Sequence, residues 1–172
     1  MNGHIGRGGC CLGMVVGFLE RYFLRMENKI NVKIINSSRN PLPAYATAGA
    51  AGMDVRADID GPIVIKPMAR CLIPTGLYVA VPQGYELQMR PRSGLALKNG
   101  ISLVNTPGTI DSDYRGEIGV IIINLSDVPF TVNPGDRICQ MVLAKVPQVQ
   151  WEEVSELPDT ERADGGFGHT GV

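Results

Sequence analysis

The sequence predicts an all-β domain of the sandwich or jelly-roll type. Of its 172 residues, 21 are glycine and 12 are proline, and these chain-reversing residues suit many short strands joined by tight turns. Apolar residues make up 44% of the chain, as is typical of a globular protein. From Ile30 onward, apolar residues recur with the period of two that half-buried strands show.

Three segments carry this alternation most clearly, and turn signals separate the strands. Their apolar positions are Ile30, Val32 and Ile34, then Leu77, Val79 and Val81, then Tyr85, Leu87 and Met89. Turns are predicted at Asp60-Gly61-Pro62, Pro82-Gln83-Gly84 and Asn133-Pro134-Gly135-Asp136.

Two segments depart from simple alternation. The run VIIIN at 120–124 is almost wholly apolar, which predicts a strand covered on both faces, either by a second sheet or by another subunit. The segment SGLALKNG at 93–100 predicts one short helix, which Ser93 opens and Gly100 closes.

The pattern divides the chain into three parts. Residues 1–25 are expected to be an N-terminal extension of no structural importance, since the apolar run CCLGMVVGFL is shorter than the about 20 residues that span a bilayer, and no signal-peptide cleavage site follows it. Residues 26–147 form the β domain. Residues 148–172 are acidic and then glycine-rich; they resemble a frayed tail, but Arg162 and Phe167 among glycines fit a ligand-binding arm better.

Charge and cysteine content exclude several classes of protein. A formal net charge of −1 argues against general binding to nucleic acids or to membrane surfaces. The four cysteines contain no CxxC pair, so neither a zinc site nor a disulfide framework is indicated. We expect Cys71 and Cys139 to be small buried hydrophobic residues in a reducing compartment, and the predicted location is the cytoplasm.

The most polar stretch is TIDSDYRGE at 109–117. It contains Asp111, Asp113, Tyr114, Arg115 and Glu117. Taken alone, its carboxylates could be metal ligands, proton acceptors in a reaction, or the polar tip of a hairpin.

Four further segments carry candidate ligand-binding groups. AAGMDVRA (50–57) contains Asp54, PRSGLA (91–96) places Arg92, Ser93 and Gly94 where a strand meets a helix, GDRICQM (135–141) contains Arg137 and Gln140, and the tail contains Arg162, Phe167 and Thr170. Each has an ordinary interpretation as a cap, a turn or a solvated face. Together, in a nearly neutral protein, they indicate a polyphosphate ligand and the Mg²⁺ that accompanies it.

In this order and spacing, the five segments resemble the five motifs of the trimeric dUTP diphosphatases (dUTPases). The corresponding stretches are AGMDV, PRSGLA, NTPGTIDSDYRGE, GDRICQM and RADGGFGHTG, and the resemblance covers residues 30–172. It implies a homotrimer of distorted jelly-roll (β-clip) subunits with active sites at the subunit boundaries. Such an enzyme hydrolyses dUTP to dUMP and pyrophosphate with Mg²⁺, which limits uracil incorporation into DNA and supplies dUMP for thymidylate synthesis.

The resemblance implies that the third motif performs the chemistry and reads the base. Asp111 corresponds to the catalytic carboxylate, which polarises a water for in-line attack on the α-phosphorus and accepts a hydrogen bond from the sugar 3′-hydroxyl. Asn105 reads the uracil edge, since an amide offers both a donor and an acceptor, together with backbone groups of Gly108, Thr109 and Ile110.

Within the same motif, the resemblance places Tyr114 against the deoxyribose, where it leaves no room for a 2′-hydroxyl. Asp113 is interpreted as a turn former at the tip of the hairpin, and Glu117 as a residue that pairs or faces solvent. Whether Arg115 serves the chemistry or the hairpin stays open.

The other motifs are matched to the phosphates, the metal and the arm. The phosphate-binding residues are Arg92, Ser93, Gly94 and Gln140, with Arg162 on the terminal phosphate. Asp54 orients Mg²⁺ through a bound water instead of ligating it directly, and Phe167 stacks on the base.

The arm is long enough to reach a neighbouring subunit. About fifteen residues separate Pro147 from Arg162, and an extended chain of that length spans ~50 Å. We expect the arm to become ordered when nucleotide binds and to exclude water from the phosphates. Its sequence departs from the commonest form of the motif at Ala163, Asp164 and His169, and a contact between His169 and phosphate stays open.

Two alternative functions remain. A dCTP deaminase shares the fold, but DSDYRGE with its sugar-facing Tyr114 and the complete glycine-rich fifth motif argue against it. A nucleotide-binding regulator without turnover is expected to have lost Asp111 or the arm, and this chain contains both.

Overall fold

Residues 29–166, which the computed structural model describes, contain ten strands and one short helix. The strands are β1 (Lys33–Asn36), β2 (Gly52–Arg56), β3 (Ile63–Ile65), β4 (Arg70–Ala80), β5 (Tyr85–Arg90), β6 (Ile101–Leu103), β7 (Gly108–Ile110), β8 (Glu117–Asn124), β9 (Phe130–Val132) and β10 (Arg137–Lys145), and the helix is α1 (Ser93–Asn99). No helix in these residues is long and apolar enough to cross a membrane.

The strands form two four-stranded sheets and one two-stranded ribbon. The first sheet has the order β1-β4-β8-β6 and the second has the order β2-β10-β5-β7, while β3 pairs with β9. All of these pairings are antiparallel. The predicted all-β fold of the jelly-roll type is therefore confirmed.

The hydrophobic core lies between the inner faces of the sheets, and the predicted alternation locates much of it. Leu77, Val79, Val81, Leu87 and Met89 are all buried. The first predicted strand was placed too early: β1 begins at Lys33, so Ile30 and Val32 precede it. Since β1 pairs only with β4 and forms the edge of its sheet, its start is set by that pairing and not by the apolar pattern.

The apolar run at 120–124 lies in β8, but only one of its faces is covered within residues 29–166. Val120 and Ile122 are buried, whereas Ile121 and Ile123 on the other face are half-buried. Leu72 of β4 lies opposite Ile121 and is 63% exposed, and Ile35 of β1 is 67% exposed. We call this surface, formed by Ile35, Leu72, Ile121 and Ile123, the apolar outer face.

The predicted helix is present, and the sequence predicted its C-terminal end correctly but not its N-terminal cap. Gly100 ends the helix in the left-handed region at φ 66°, and its N–H donates to the Ala96 oxygen. Ser93, however, is the first helical residue, and Arg92 occupies the capping position without a side-chain cap. Arg92 takes this place because its guanidinium is bound to the Asp54 carboxylate and to the Arg137 oxygen.

The ends of the chain lie largely outside these elements. The predicted extension at 1–25 is outside the described residues. Residues 148–166 of the predicted arm form neither helix nor strand, and their side chains are exposed as far as Asp164.

A buried amide joins the loops at one end of the sandwich. Asn124 has no exposed surface, and its Nδ2 donates to the oxygens of Ile65 (3.0 Å) and Val128 (2.7 Å). Its Oδ1 accepts from the backbone N–H of Ser126 (2.9 Å). The polar residue at the end of the apolar run therefore satisfies three backbone groups, one at the end of β3 and two in the loop after β8.

We expect Asn124→Leu to lower the free energy of unfolding by about 2–5 kcal/mol, because each buried group that loses its partner costs about 1–3 kcal/mol. Denaturant titration at one fixed protein concentration measures this change. Ser126→Ala, which removes a hydroxyl from the rim of the same network, is the control and should cost less than about 1.5 kcal/mol. Equal stability of Asn124→Leu and the wild type would contradict a structural role for this amide.

Candidate active site

The outer face of the second sheet carries the polar residues that the sequence singled out. Antiparallel pairing places Asp54 opposite Gln140 and Gln140 opposite Arg90, across β2, β10 and β5. The alternate residues Val55 and Met141 lie in the core. The period of two therefore separates a buried apolar face from a polar face on which side chains of different strands meet.

Asp54 is the centre of a charged cluster on this face. Its carboxylate lies 3.2 Å from Nε of Arg92 and 3.0 Å from Nη1 of Arg137. Nε2 of Gln140 lies 3.4 Å from the same carboxylate. We call Asp54, Arg92, Arg137 and Gln140 the cationic cluster, because two guanidinium groups against one carboxylate leave a net positive charge.

A β-bulge directs Arg137 into this cluster. The pairing of β10 with β2 shifts register between Arg137 and Cys139, and both Ile138 and Cys139 are buried. In a regular strand without the bulge, the side chains of Arg137 and Cys139 would both point into the core. The extra residue turns its side chain outward, toward Asp54, which is how bulges commonly aim a side chain at a site.

The cluster also adjoins the start of α1. Ser93 and Gly94 follow Arg92 directly and form the first helical residues, and the first backbone N–H groups of a helix have no partner within it. The structure thus brings together Asp54, Arg92, Ser93, Gly94 and Gln140, all from the first, second and fourth motifs.

The donor set limits how this site could bind a metal ion. Within residues 29–166, no three His, Cys, Asp or Glu side chains lie close enough together to hold one between them. Asp54 is the only carboxylate of the cationic cluster, and both of its oxygens already face guanidinium groups. This arrangement fits Mg²⁺, which commonly keeps several waters and is bound through one or two carboxylates and substrate phosphates.

The polar stretch at 111–117 forms a loop that closes on itself. The Tyr114 N–H donates to the Asp111 oxygen (3.2 Å), and Nη1 of Arg115 donates to the oxygens of Ser112 (2.8 Å) and Tyr114 (2.6 Å). The Tyr114 hydroxyl donates to the Glu117 oxygen (2.9 Å). Arg115 therefore contributes to the shape of the loop that carries Asp111 and Tyr114.

Glu117 ties this loop to the other sheet. Its Oε1 accepts from the backbone N–H groups of Thr75 (3.1 Å) and Gly76 (2.7 Å). Both residues lie where the pairing of β4 with β8 shifts register. Of the two interpretations of Glu117, the one in which its side chain pairs is therefore the correct one. Its partner, however, is the irregular backbone of β4 and not the hairpin.

The segment predicted to read a base lies beside this loop. Gly108, Thr109 and Ile110 form β7, which pairs with β5 through Met89, Gln88 and Leu87. The Asn105 amide packs against Gly108, where an added Cβ would lie 3.1 Å from its Nδ2. Asn105 and the edge strand β7 therefore form one surface next to Asp111.

A row of polar residues on β5 was missed by the sequence reasoning. Nε2 of Gln88 donates to Oε1 of Glu86 (2.6 Å), and Nε of Arg90 donates to Oε1 of Gln88 (3.1 Å). Glu86 also lines an open cleft with Asp111, Asp113 and Arg115. The alternation in YELQMR predicted that these side chains lie on one face, but not that this face is shared with the site residues.

The site residues fall into two separate groups. Asp54 on β2 and Asp111 after β7 are three strand spacings apart across the sheet. Through the strand pairing, each is level with a position on β5, and these two positions differ by about four residues along the strand direction. With ~4.8 Å between strands and ~3.3 Å per residue, their Cα atoms are ~20 Å apart. One chain therefore does not bring Asp111 to the guanidinium groups that surround Asp54.

The arm residues join neither group by a hydrogen bond or an ion pair in the described part of the chain. Arg162 is exposed, and its Nε donates to the Gly165 oxygen (2.9 Å) within the arm. Phe167, His169 and Thr170 lie outside the described residues.

The thiol of Cys139, beside the cationic cluster, is buried and poorly ionised. Cys139 has no exposed surface, and burial raises its pKa to about 12, an effect to which the Asp54 charge adds and which the Arg92 charge opposes. Cys139 and Cys71 are free cysteines, and Cys71, which was predicted to be buried, is half-buried. Cys139 is therefore not a candidate nucleophile.

Comparison with known sequences identifies close relatives. A sequence model of the dUTPase family matches residues 38–171. The deoxyuridine 5'-triphosphate nucleotidohydrolase of Finegoldia magna is 57% identical over 142 residues, which cover 83% of this chain and 99% of that protein. The protein of the same name from Caulobacter vibrioides is 61% identical over 134 residues, 77% of this chain and 86% of that protein.

Comparison with solved structures supports the fold. The dUTPase of Staphylococcus bacteriophage 80alpha with dUPNHPP has a TM-score of 0.76 at 23% identity, covering 84% of this chain and 100% of that one. A point mutant of the dUTPase of phage phi11 of S. aureus, which coordinates a structural Mg(II) ion, has a TM-score of 0.66 at 22% identity, covering 74% of this chain and 98% of that one.

We expect Cys139 to resist alkylation in the folded protein. With a pKa of about 12, only ~10⁻⁴ of the thiol is ionised at pH 8, and the thiolate is the reactive form. Iodoacetamide labelling followed by peptide mass spectrometry measures this, with the half-buried Cys71 as the internal control and denaturant to expose both thiols. Labelling of native Cys139 as fast as Cys71 would contradict its burial.

Proposed function

This chain belongs to the dUTPase family, and we propose that it hydrolyses dUTP to dUMP and pyrophosphate. In a cell, this reaction limits uracil incorporation into DNA and supplies dUMP for thymidylate synthesis. The cytoplasm is the predicted location, in keeping with the free thiols of Cys71 and Cys139.

The structural observation that supports this proposal best is the placement of two guanidinium groups around one carboxylate. Arg92 and Arg137 lie 3.2 Å and 3.0 Å from Asp54, at the point where α1 begins. A triphosphate supplies the negative charge that this cluster lacks, and guanidinium groups and helix N–H groups bind phosphate oxygens. We assign phosphate binding to Arg92, Ser93, Gly94 and Gln140.

Asp111 is assigned as the general base. Its carboxylate accepts a proton from a water whose oxygen attacks the α-phosphorus, and the bond from this phosphorus to the bridging oxygen breaks, so that pyrophosphate leaves. General-base assistance contributes roughly 10²–10⁴-fold to such a rate. The hydrogen-bonded loop from Asp111 to Glu117 supports this role, since it fixes the backbone that carries the carboxylate.

The base and the sugar are assigned to the surface next to Asp111. Asn105 and the backbone of Gly108, Thr109 and Ile110 offer donors and acceptors that match the uracil edge. Tyr114 is 42% exposed, and we assign its ring to the deoxyribose, where its bulk excludes a 2′-hydroxyl.

Mg²⁺ is proposed as the cofactor, and when bound it neutralises phosphate charge and orients the phosphates for attack. Asp54 contributes through a bound water, because its oxygens already face Arg92 and Arg137. The substrate phosphates supply further oxygen ligands, in the manner usual for Mg²⁺.

We infer that the active sites are shared between the subunits of a homotrimer. The separation of ~20 Å between Asp54 and Asp111 supports this inference, since a second chain would supply the missing half of each site. The apolar outer face offers a surface for this assembly, since Leu72 and Ile35 are more than half exposed in the single chain. The arm at 148–172 is assigned to a neighbouring site, where Arg162 contacts the terminal phosphate and Phe167 contacts the base.

Pyrophosphate release from dUTP, dCTP, UTP and dTTP, measured in parallel with Mg²⁺ and with a chelator, tests the proposed reaction. We expect release from dUTP alone, and only with the metal. Asp111→Asn should lower the turnover of dUTP at least about 100-fold while dUTP still binds, because the amide cannot accept a proton.

Other results of this experiment would identify other functions. Ammonia released from dCTP would indicate a deaminase, and binding of dUTP without turnover would indicate a regulator. Near-normal turnover by Asp111→Asn would contradict the assignment of the general base.

Mixed oligomers test the shared site. Asp111→Asn and Arg92→Ala should each be nearly inactive alone, whereas co-expressed chains should regain activity in sites that take Asp111 from one chain and Arg92 from another. Random assembly leaves about one quarter of such sites intact, so about a quarter of the wild-type activity should return. If both residues came from one chain, no intact site would form and no activity would return.

A further inference from the structure

We propose that Gly116 is a specificity-determining residue for the sugar of the nucleotide. Together with the hydrogen bond from the Tyr114 hydroxyl to the Glu117 oxygen, it holds the Tyr114 ring in the position that excludes a 2′-hydroxyl. This inference rests on the proposed function, since it concerns how the same site distinguishes dUTP from UTP.

The Tyr114 ring occupies the space that a side chain at position 116 would need. A Cβ added to Gly116 would lie 2.6 Å from Cζ and 3.0 Å from Cε2 of Tyr114, and it would lie still closer to the hydroxyl oxygen. Real Cβ atoms essentially never approach other heavy atoms within 3.0 Å. Any residue larger than glycine at this position must therefore displace the ring or the backbone.

The backbone cannot move easily, because the following residue is anchored. Oε1 of Glu117 accepts from the N–H groups of Thr75 and Gly76. Gly76 has φ +65°, and a Cβ there would lie 2.7 Å from Cβ of Ser38, so this part of β4 is itself tightly packed. Since the acceptor of the Tyr114 hydroxyl is fixed on this side, the ring is the part that yields.

Displacement of the ring leaves the general base in place. The Asp111 oxygen is bound to the Tyr114 N–H, and Arg115 binds the oxygens of Ser112 and Tyr114. These contacts involve the backbone of the loop and not the phenol ring. A substitution at Gly116 therefore changes the contact with the sugar more than it changes the chemical step.

Gly116→Ala is the decisive variant, and Gly61→Ala is its matched control. Gly116 does not have a left-handed backbone, so alanine adds only the Cβ. At Gly61 an added Cβ meets nothing within 4 Å, so the same substitution there should leave kinetics unchanged. Steady-state kcat and KM are measured on dUTP and on UTP for the wild type and both variants.

We expect Gly116→Ala to lower the ratio of kcat/KM on dUTP to kcat/KM on UTP by about 10-fold or more, as one misplaced group in a binding pocket does. The loss should appear in KM for dUTP, with kcat changed less than about 3-fold. In a Tyr114→Ala background, Gly116→Ala should have no further effect on the ratio, because Gly116 acts through the ring.

The outcomes separate this inference from the proposed function. A wild-type protein that is inactive on dUTP overturns both. If the wild type is active, two results overturn the inference alone. One is an unchanged dUTP/UTP ratio of kcat/KM in Gly116→Ala, and the other is a further fall of this ratio when Gly116→Ala is added to Tyr114→Ala. If Gly116→Ala does not fold, Tyr114→Phe replaces it as the test: removing the hydroxyl bond to Glu117 should lower the ratio, and an unchanged ratio overturns the inference.

Discussion

The antiparallel register of β10 with its two neighbours determines where the polar groups of the site lie. Gln140 is paired with Asp54 on one side and with Arg90 on the other. A slip of one residue would turn these side chains into the core and expose Val55 and Met141. Burial of the apolar face therefore specifies the polar face as well, and the site is positioned by the same packing that stabilises the sandwich.

The ion pairs of the cationic cluster matter for placement more than for stability. The Arg137 side chain is 51% exposed, and an ion pair with one partner so open to water contributes little to folding. Their effect is to hold two mutually repelling guanidinium groups close together before any anion is present. A ligand that meets such a preorganised cluster loses less free energy in ordering it.

The sequence predicted the parts of this structure that depend on local patterns. Alternation located Leu87 and Met89 in the core. The motifs assigned Arg92 and Gln140 to the phosphates and Asp54 to the metal, and these three side chains lie together in the structure. The bulge at Ile138 was not foreseen, because a period of two carries no signal for a shift of register against another strand. The capping prediction for Ser93 was wrong for a related reason: tertiary contacts of the Arg92 side chain outweighed the local preference.

Strand order is the other feature that no local pattern encodes, and it has the largest functional consequence. The order β2-β10-β5-β7 places Asp54 in one edge strand of the sheet and Asp111 directly after the opposite edge strand. The first sheet is incomplete in a different way, since Leu72 and Ile121 face outward with no cover within the described chain. The separation of Asp54 from Asp111 and the uncovered apolar face are independent features, and the proposed association of several chains would account for both. The interaction that buries the apolar outer face would then also complete the catalytic machinery, so that an isolated subunit would lack stability and activity for the same structural reason.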